Sequence, residues 1–246
     1  MKSADRPPAD PIAAALAAVR SRIQAACARS GRDPRTVKLV AVSKTKPATD
    51  VVQAADAGHR VFGENRVQEA LAKQPEVDRD VEWHLVGALQ RNKARHAVGA
   101  FALLHGIDDS KLLAEIDRRA AAKGLRQPLL LQVRLGDESS KSGVDPAKLS
   151  ALVAEAAGLD HVELRGLMTI PPLVEQPELA RHWFARLREL RDAETARSGI
   201  DLPELSMGMS GDFEVAVEEG ATLVRVGTAI FGARETLVLE PKKDSP

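Results

Sequence analysis

The sequence predicts a closed (β/α)8 barrel of eight parallel strands, led by one extra helix, and three observations carry that reading. Eight short apolar runs rich in β-branched residues alternate with amphipathic stretches, and the connections between them are short. The third is length: 246 residues is ordinary for one such barrel, which commonly runs to roughly 250. Parallel neighbours cannot be joined by a hairpin, so the alternation means crossover helices, and eight units favour closure over an open sheet. No Gly-rich linker divides the chain and no tight repeat is present. One domain is therefore expected over residues 10–236, with polar tails at 1–9 and 237–246.

The elements follow in order. Asp10 and Pro11 supply an N-cap and a first helical residue, and an Ala/Leu/Ile/Val pattern then runs at helical spacing until Gly31 closes it. The strand candidates are "VKLVAVS", "HRVFG", "VEWHLVG", "FALLHGI", "PLLLQVRL", "VELRGLMTI", "ELSMGMS" and "TLVRVGTAI". Helices are expected between them near 48–57, 65–74, 90–97, 109–123, 146–157, 176–198 and 211–219, each ending close to Gly or a polar cluster.

Composition narrows the function. Hydrophobic residues at 44% and charged residues at 28% suit a globular chain with a substantial core. Thirty-five basic and 35 acidic residues cancel, so no global field would attract nucleic acid or an acidic membrane, and 3% aromatics give no stacking platform. Cys27 is the one cysteine and cannot form an internal disulfide, which suits a reducing compartment; it reads as a packing residue. The N-terminus has no apolar signal region, and no segment approaches the ~18 apolar residues a membrane span requires. A cytoplasmic protein is expected, and the absence of a zipper or second domain leans toward a monomer.

Barrel active sites lie at the C-terminal ends of the strands, so the residues just past each apolar run matter most. Lys44 follows the first run, Asn65 follows "VFGE", His84 lies in the third and Met168 in the sixth. Ser206 to Ser210 follow the seventh, and Arg225, Gly227 and Thr228 close the eighth. Lys44, in "VAVSKTKP", is either a solvated strand end, as Lys46 is, or a reacting amine in a partly desolvated mouth. Strands 7 and 8 form the usual phosphate side of such barrels, and "SMGMSGD" and "VRVGTAIFG" offer hydroxyls beside glycines there; either turn could equally be plain βα punctuation. Arg225 alternates with apolar neighbours and needs an acceptor wherever it is buried, a structural ion pair being the plain alternative. An amine that attacks an aldehyde, a phosphate cup across the barrel and an arginine facing a ring nitrogen together describe pyridoxal 5'-phosphate held as a Schiff base.

"VSKTKP", "FGENRVQE", "WHLVGALQRNK", "SKSGV", "LRGLMTIP" and "LSMGMSGDFEVAVEEGATLVRVGTAIFGARE", in this order over about residues 12–236, resemble the YggS/PROSC family, the pyridoxal phosphate homeostasis proteins. The resemblance implies the barrel of the alanine racemase N-terminal domain, standing alone. It assigns Lys44 to the internal aldimine, Arg225 to the pyridine nitrogen, and Ser210, Gly227 and Thr228 to the phosphate. Asn65, His84, Met168, Ser206 and Met207 match pocket-lining positions. It further implies a pyridoxal phosphate carrier or regulator in intracellular vitamin B6 homeostasis, with apo forms of pyridoxal phosphate enzymes as partners. The chain departs from the family pattern at Arg66, Ala88 and Arg134, none of them a proposed cofactor contact.

Chemistry separates the rivals. A guanidinium keeps its protons near neutral pH, so a pyridine nitrogen facing it stays unprotonated and the ring is a weak electron sink. The chain has no tyrosine at all, whereas the related racemases pair a lysine with a tyrosine from a second domain. A pyridoxal phosphate homeostasis protein without robust turnover is therefore expected, ahead of a narrow amino-acid enzyme or a lysine-based aldolase for a phosphorylated sugar. The six histidines are scattered and predict no metal site. Arg91, Lys93, Arg95 and His96 read as a solvated helix face, with an anionic ligand or partner as the alternative. "DESSKSGV", with Lys141 and Ser142, reads as a loop after the fifth strand, either a helix entry or a pocket rim.

Overall fold

The structure, a computed structural model, describes residues 10–136 and 142–233; Lys141 and both expected tails lie outside the described residues. Helix α1 (Pro11–Arg29) starts where Asp10 accepts the N–H groups of Ile12 and Ala13. Its buried side chains, Ile12, Leu16, Val19, Ile23, Ala26 and Cys27, recur every three or four residues and form one stripe. Each large aliphatic among them contributes about 1.5–3 kcal/mol by leaving water. Cys27 is fully buried in that stripe.

Eight parallel strands close into a barrel in chain order: β1 (Lys38–Val42), β2 (Val61–Glu64), β3 (Glu82–Ala88), β4 (Leu103–Ile107), β5 (Gln127–Gln132), β6 (Val162–Met168), β7 (Glu204–Ser206) and β8 (Leu223–Val226). Closure is made by β1 against β8, where Val40 stands opposite Arg225. The helices outside are α2 (Ala48–Asp56), α3 (Val67–Lys73), α4 (Ala94–Ala97), α5 (Ser110–Ala122), α6 (Pro146–Ala157), α7 (Arg181–Ser198), α8 (Phe213–Glu218) and α9 (Thr228–Phe231).

Two apolar cores result. Leu39, Ala41, Leu85, Leu104 and Leu205 face outward into the layer beneath the helices, while Val40, Val86, Leu103, Leu130, Met168 and Leu223 face the barrel axis. The strand period of two sorts them. Three expected elements are shorter than their patterns suggested. Residues 90–97 hold a 3-10 turn (Arg91–Lys93) and then only the four residues of α4. Residues 176–198 divide into a 3-10 turn (Pro177–Ala180) and α7. The seventh strand stops at Ser206; Gly208 then takes a left-handed backbone with φ 91°, and the Asp212 carboxylate accepts the Met209 N–H at 2.6 Å in the turn that follows. Among the described residues no helix is long and apolar enough to cross a membrane.

Candidate functional site

A cavity of about 260 Å³ opens at the C-terminal mouth of the barrel, and its wall includes Lys44, Asn65, Ser210, Arg225, Gly227 and Thr228. Val42, Val86, Ile170 and Phe231 supply its apolar surface. Six of the ten residues singled out from the sequence thus come together at one opening.

Lys44 stands on a turn held from three sides. Val42 ends β1, the Ser43 N–H donates to Gly63 O at 3.0 Å, and the next turn residue, Thr45, takes a left-handed backbone with φ 63°. A β-branched residue in that region is strained by on the order of 1–3 kcal/mol, so the surroundings must enforce it. They do so through α3: the Thr45 N–H donates to Glu69, and Lys73 Nζ donates to Ser43 O at 2.8 Å and to Glu64 Oε1 at 2.6 Å. Ser43 Oγ donates to that same oxygen at 2.7 Å. Burial holds the Glu64 carboxyl above its ordinary range, with Lys73 and Ser43 opposing, and Oε2 has no hydrogen-bond partner among the described residues. Glu64, Glu69 and Lys73 escaped the sequence reading. Their signal was the spacing within "GENRVQEALAK", which sets Glu69 and Lys73 one helical turn apart.

Opposite Lys44, Ser210 Oγ accepts the N–H groups of Gly227 at 3.3 Å and Ala229 at 3.4 Å, so a hydroxyl and two backbone donors converge on one wall. Gly227 is needed for that approach: a Cβ there would lie 3.0 Å from Val42 O. The half-buried Asp212 carboxyl that closes the preceding turn is held above the ordinary carboxylate range, chiefly by desolvation. Asn65 reaches its place over β3 only because position 87 lacks a side chain; a Cβ on Gly87 would lie 2.3 Å from Asn65 O and 2.7 Å from Asn65 Oδ1.

Arg225 forms the floor. It is 4% exposed, donates from Nη1 to Ser206 Oγ at 2.6 Å and from Nη2 to Thr169 O at 2.9 Å, and makes no ion pair among the described residues. Neutral oxygens satisfy it where a structural carboxylate was the alternative. Burial lowers its pKa to about 10, with Asp212 opposing, so it remains a cation near neutral pH.

Four predicted residues do not line the cavity. Ser206, His84 and Met168 face the barrel axis beneath it, and Met207, next to Ser206, points the other way into the layer under the helices. The period of two makes this unavoidable, since adjacent strand residues cannot share a face. Ser206 and His84 are instead linked through His105, which the sequence reading passed over: His105 Nδ1 is 2.8 Å from Ser206 Oγ, and His105 Nε2 is 3.0 Å from His84 Nδ1. Arg91, Lys93, Arg95 and His96 lie away from the cavity, with Arg95 Nε donating to His96. Arg66 and Ala88 are exposed, and Arg134 pairs loosely with Asp145 at 3.6 Å. Ser142 O accepts from Gln132, and the Gly143 N–H donates to Asp108 at 2.7 Å.

Residues 14–235 match the family described as Alanine racemase, N-terminal domain. The chain is 46% identical over 221 residues to the pyridoxal phosphate homeostasis protein of Aquifex aeolicus, covering 89% of this chain and 97% of that one. It superposes on PipY of Synechococcus elongatus PCC7942, solved with PLP bound, with TM-score 0.81 and 43% identity, over 90% of this chain and all of PipY. An alanine racemase of Clostridium difficile 630 shares the fold at TM-score 0.70 and 11% identity, over 92% of this chain and 57% of the racemase. With a family match over most of its length and a near-full-length relative at this identity, the chain belongs to the pyridoxal phosphate homeostasis proteins, built on the alanine racemase N-terminal barrel.

Proposed function

We propose that this chain binds pyridoxal 5'-phosphate through Lys44 and stores or delivers it within the cell, without robust turnover. The observation that carries the reading is the meeting in one cavity of a strand-end amine, a wall of hydroxyl and backbone donors, and a buried guanidinium between them. These match an aldehyde, a phosphate and a ring nitrogen in turn. The aldehyde of pyridoxal phosphate condenses with a primary amine and releases water, and Lys44 is placed to supply that amine.

The chain's own residues do the rest. Ser210 Oγ, which accepts the N–H groups of Gly227 and Ala229, donates its own hydrogen to the phosphate, and Thr228 adds a hydroxyl at the same wall. Asn65, Val42 and Val86 enclose the ring, and Phe231 narrows the opening to water. Arg225 stays charged at pH 7 and offers donors only, so a nitrogen beside it is kept as an acceptor. That arrangement disfavours a strong electron sink. The absence of any tyrosine removes the second base that a racemase needs on the opposite face. PipY carries bound PLP and the Aquifex relative is named for pyridoxal phosphate homeostasis, which supports the same cargo here. The recipients are apo forms of pyridoxal phosphate enzymes, and the protein acts as a cytoplasmic monomer.

Incubating the loaded protein in deuterated water with L- and D-amino acids, beside an assay of delivery to an apo-enzyme, tests this. Delivery with negligible α-deuterium incorporation is expected. Fast scrambling of any one amino acid overturns the reading in favour of an enzyme.

A further inference from the structure

The barrel interior carries a polar line that the cofactor wall does not use. Most barrels of this kind fill the axis with branched apolar side chains. Here four strands contribute Glu82 and His84 from β3, His105 from β4, Ser206 from β7 and Arg225 from β8. The contacts run Arg225 Nη1 to Ser206 Oγ at 2.6 Å, Ser206 Oγ to His105 Nδ1 at 2.8 Å, His105 Nε2 to His84 Nδ1 at 3.0 Å and His84 Nε2 to Glu82 Oε1 at 2.6 Å. His84 is 1% exposed, and His105 and Ser206 are fully buried. Only Glu82 reaches solvent, beside Lys38 at 3.5 Å.

The two end bonds each have one direction. Arginine only donates, so Ser206 Oγ accepts from it and keeps a hydrogen and a second lone pair for His105 Nδ1. His105 Nε2 and His84 Nδ1 face each other with one hydrogen between them. His84 in turn carries its proton on Nε2 and donates to the Glu82 carboxylate, which only accepts. Every ring nitrogen of the two imidazoles has a partner, so the polar line avoids the cost of an unpaired buried group. Burial, with His84 and Arg225 nearby, holds His105 well below its ordinary pKa, and the bond from His84 is the largest cause bringing Glu82 down to about 2.

We propose that Glu82, His84 and His105 are positioning residues for Arg225, acting through Ser206 to hold the guanidinium in one orientation, so that a fixed set of its N–H donors faces the cofactor. The proposal rests on the reading that pyridoxal phosphate binds above Arg225. The line is unbroken from the carboxylate at one end to the guanidinium at the other, and rotation of Arg225 would break it at its first link. Thr169 O fixes the second Nη in the same pose.

The test uses full-length protein loaded with pyridoxal phosphate, with affinity and the absorption spectrum of the bound cofactor measured for His105→Leu, His105→Gln and Glu82→Ala. Borohydride labelling of Lys44 in the parent is a separate check on the site itself. Losing one hydrogen bond to a charged group corresponds to about tenfold in affinity. His105→Leu is expected to keep labelling at Lys44, to bind about tenfold more weakly and to shift the spectrum, with His105→Gln restoring part of both. Glu82→Ala, at the solvent end, shifts the spectrum in the same direction and decides the matter if His105→Leu does not fold. A parent spectrum and affinity in Glu82→Ala, with His105→Leu either unchanged or unfolded, overturns the positioning role. An unlabelled Lys44 in the parent instead removes the cofactor reading on which it rests.

Discussion

Lys73 Nζ lies 2.6 Å from Glu64 Oε1 and 2.8 Å from the carbonyl of Ser43, so a buried ion pair sits directly behind the turn that presents Lys44. The pair sits where one carboxylate oxygen already lacks a partner, so removing the cation leaves a buried acid with only the Ser43 hydroxyl.

Lys73→Met should therefore destabilise the fold by about 3–5 kcal/mol, the usual cost of stranding one member of a buried pair. Adding Glu64→Gln to it should recover a large part of that loss, because a neutral amide tolerates the site. Denaturant melts of the single and double variants check this; equal stabilities would show that the pair does not operate as a pair.

The phosphate wall gives a second expectation. Ser210→Ala together with Thr228→Val should weaken pyridoxal phosphate binding by at least about a hundredfold, since charge-assisted hydrogen bonds contribute about 1.5–3 kcal/mol each. Equilibrium dialysis after transimination with a competing amine reads the loss. Parent-like retention would move the phosphate elsewhere.

Much of this was legible in the sequence. The alternation of apolar runs and helical stretches yields all eight strands and their closure, and the small-residue turns past strands 7 and 8 bring Ser210, Gly227 and Thr228 to one cavity. What escaped is what periodicity alone cannot place. Met207 and Ser206 are neighbours in sequence and belong to opposite faces, and a strand of three residues offers too little pattern to say which faces in. His105 sits in "FALLHGI" as a lone polar residue in an apolar run, and only the partners brought across the barrel by β3 and β7 give it a role. Glu64 and Lys73 look like a strand end and a surface helix position until the fold buries both.

A pH dependence follows from His59, which is 5% exposed and neutral, donating from Nε2 to Val61 O at 2.8 Å while Nδ1 accepts from Arg20. Burial lowers its pKa from 6.5 to about 4. As pH falls the unfolded chain takes up this proton first, so stability is whole above about 6.5 and is lost between there and 4, by about 3 kcal/mol for a gap of that size. His59→Gln should flatten the stability profile across that window. An unchanged slope in urea titrations from pH 7 to 4 would assign the loss to other groups, His105 first among them.

Gly87→Ala places a methyl group 2.3 Å from Asn65 O, and both groups are backbone-bound, so the loop after β2 must move. The expected result is a folded protein that binds pyridoxal phosphate several-fold more weakly, with Asn65 displaced; calorimetry against the parent measures it, and unchanged binding would show that Asn65 does not line the ring.

The central claim is that Lys44 is the amine that holds pyridoxal phosphate, and borohydride reduction of the loaded protein followed by peptide mass mapping tests it most directly. The account predicts a pyridoxyl group on the peptide containing Lys44, and its loss in Lys44→Ala. Stoichiometric label on Lys46, Lys73 or Lys141 with Lys44 unmodified would contradict it.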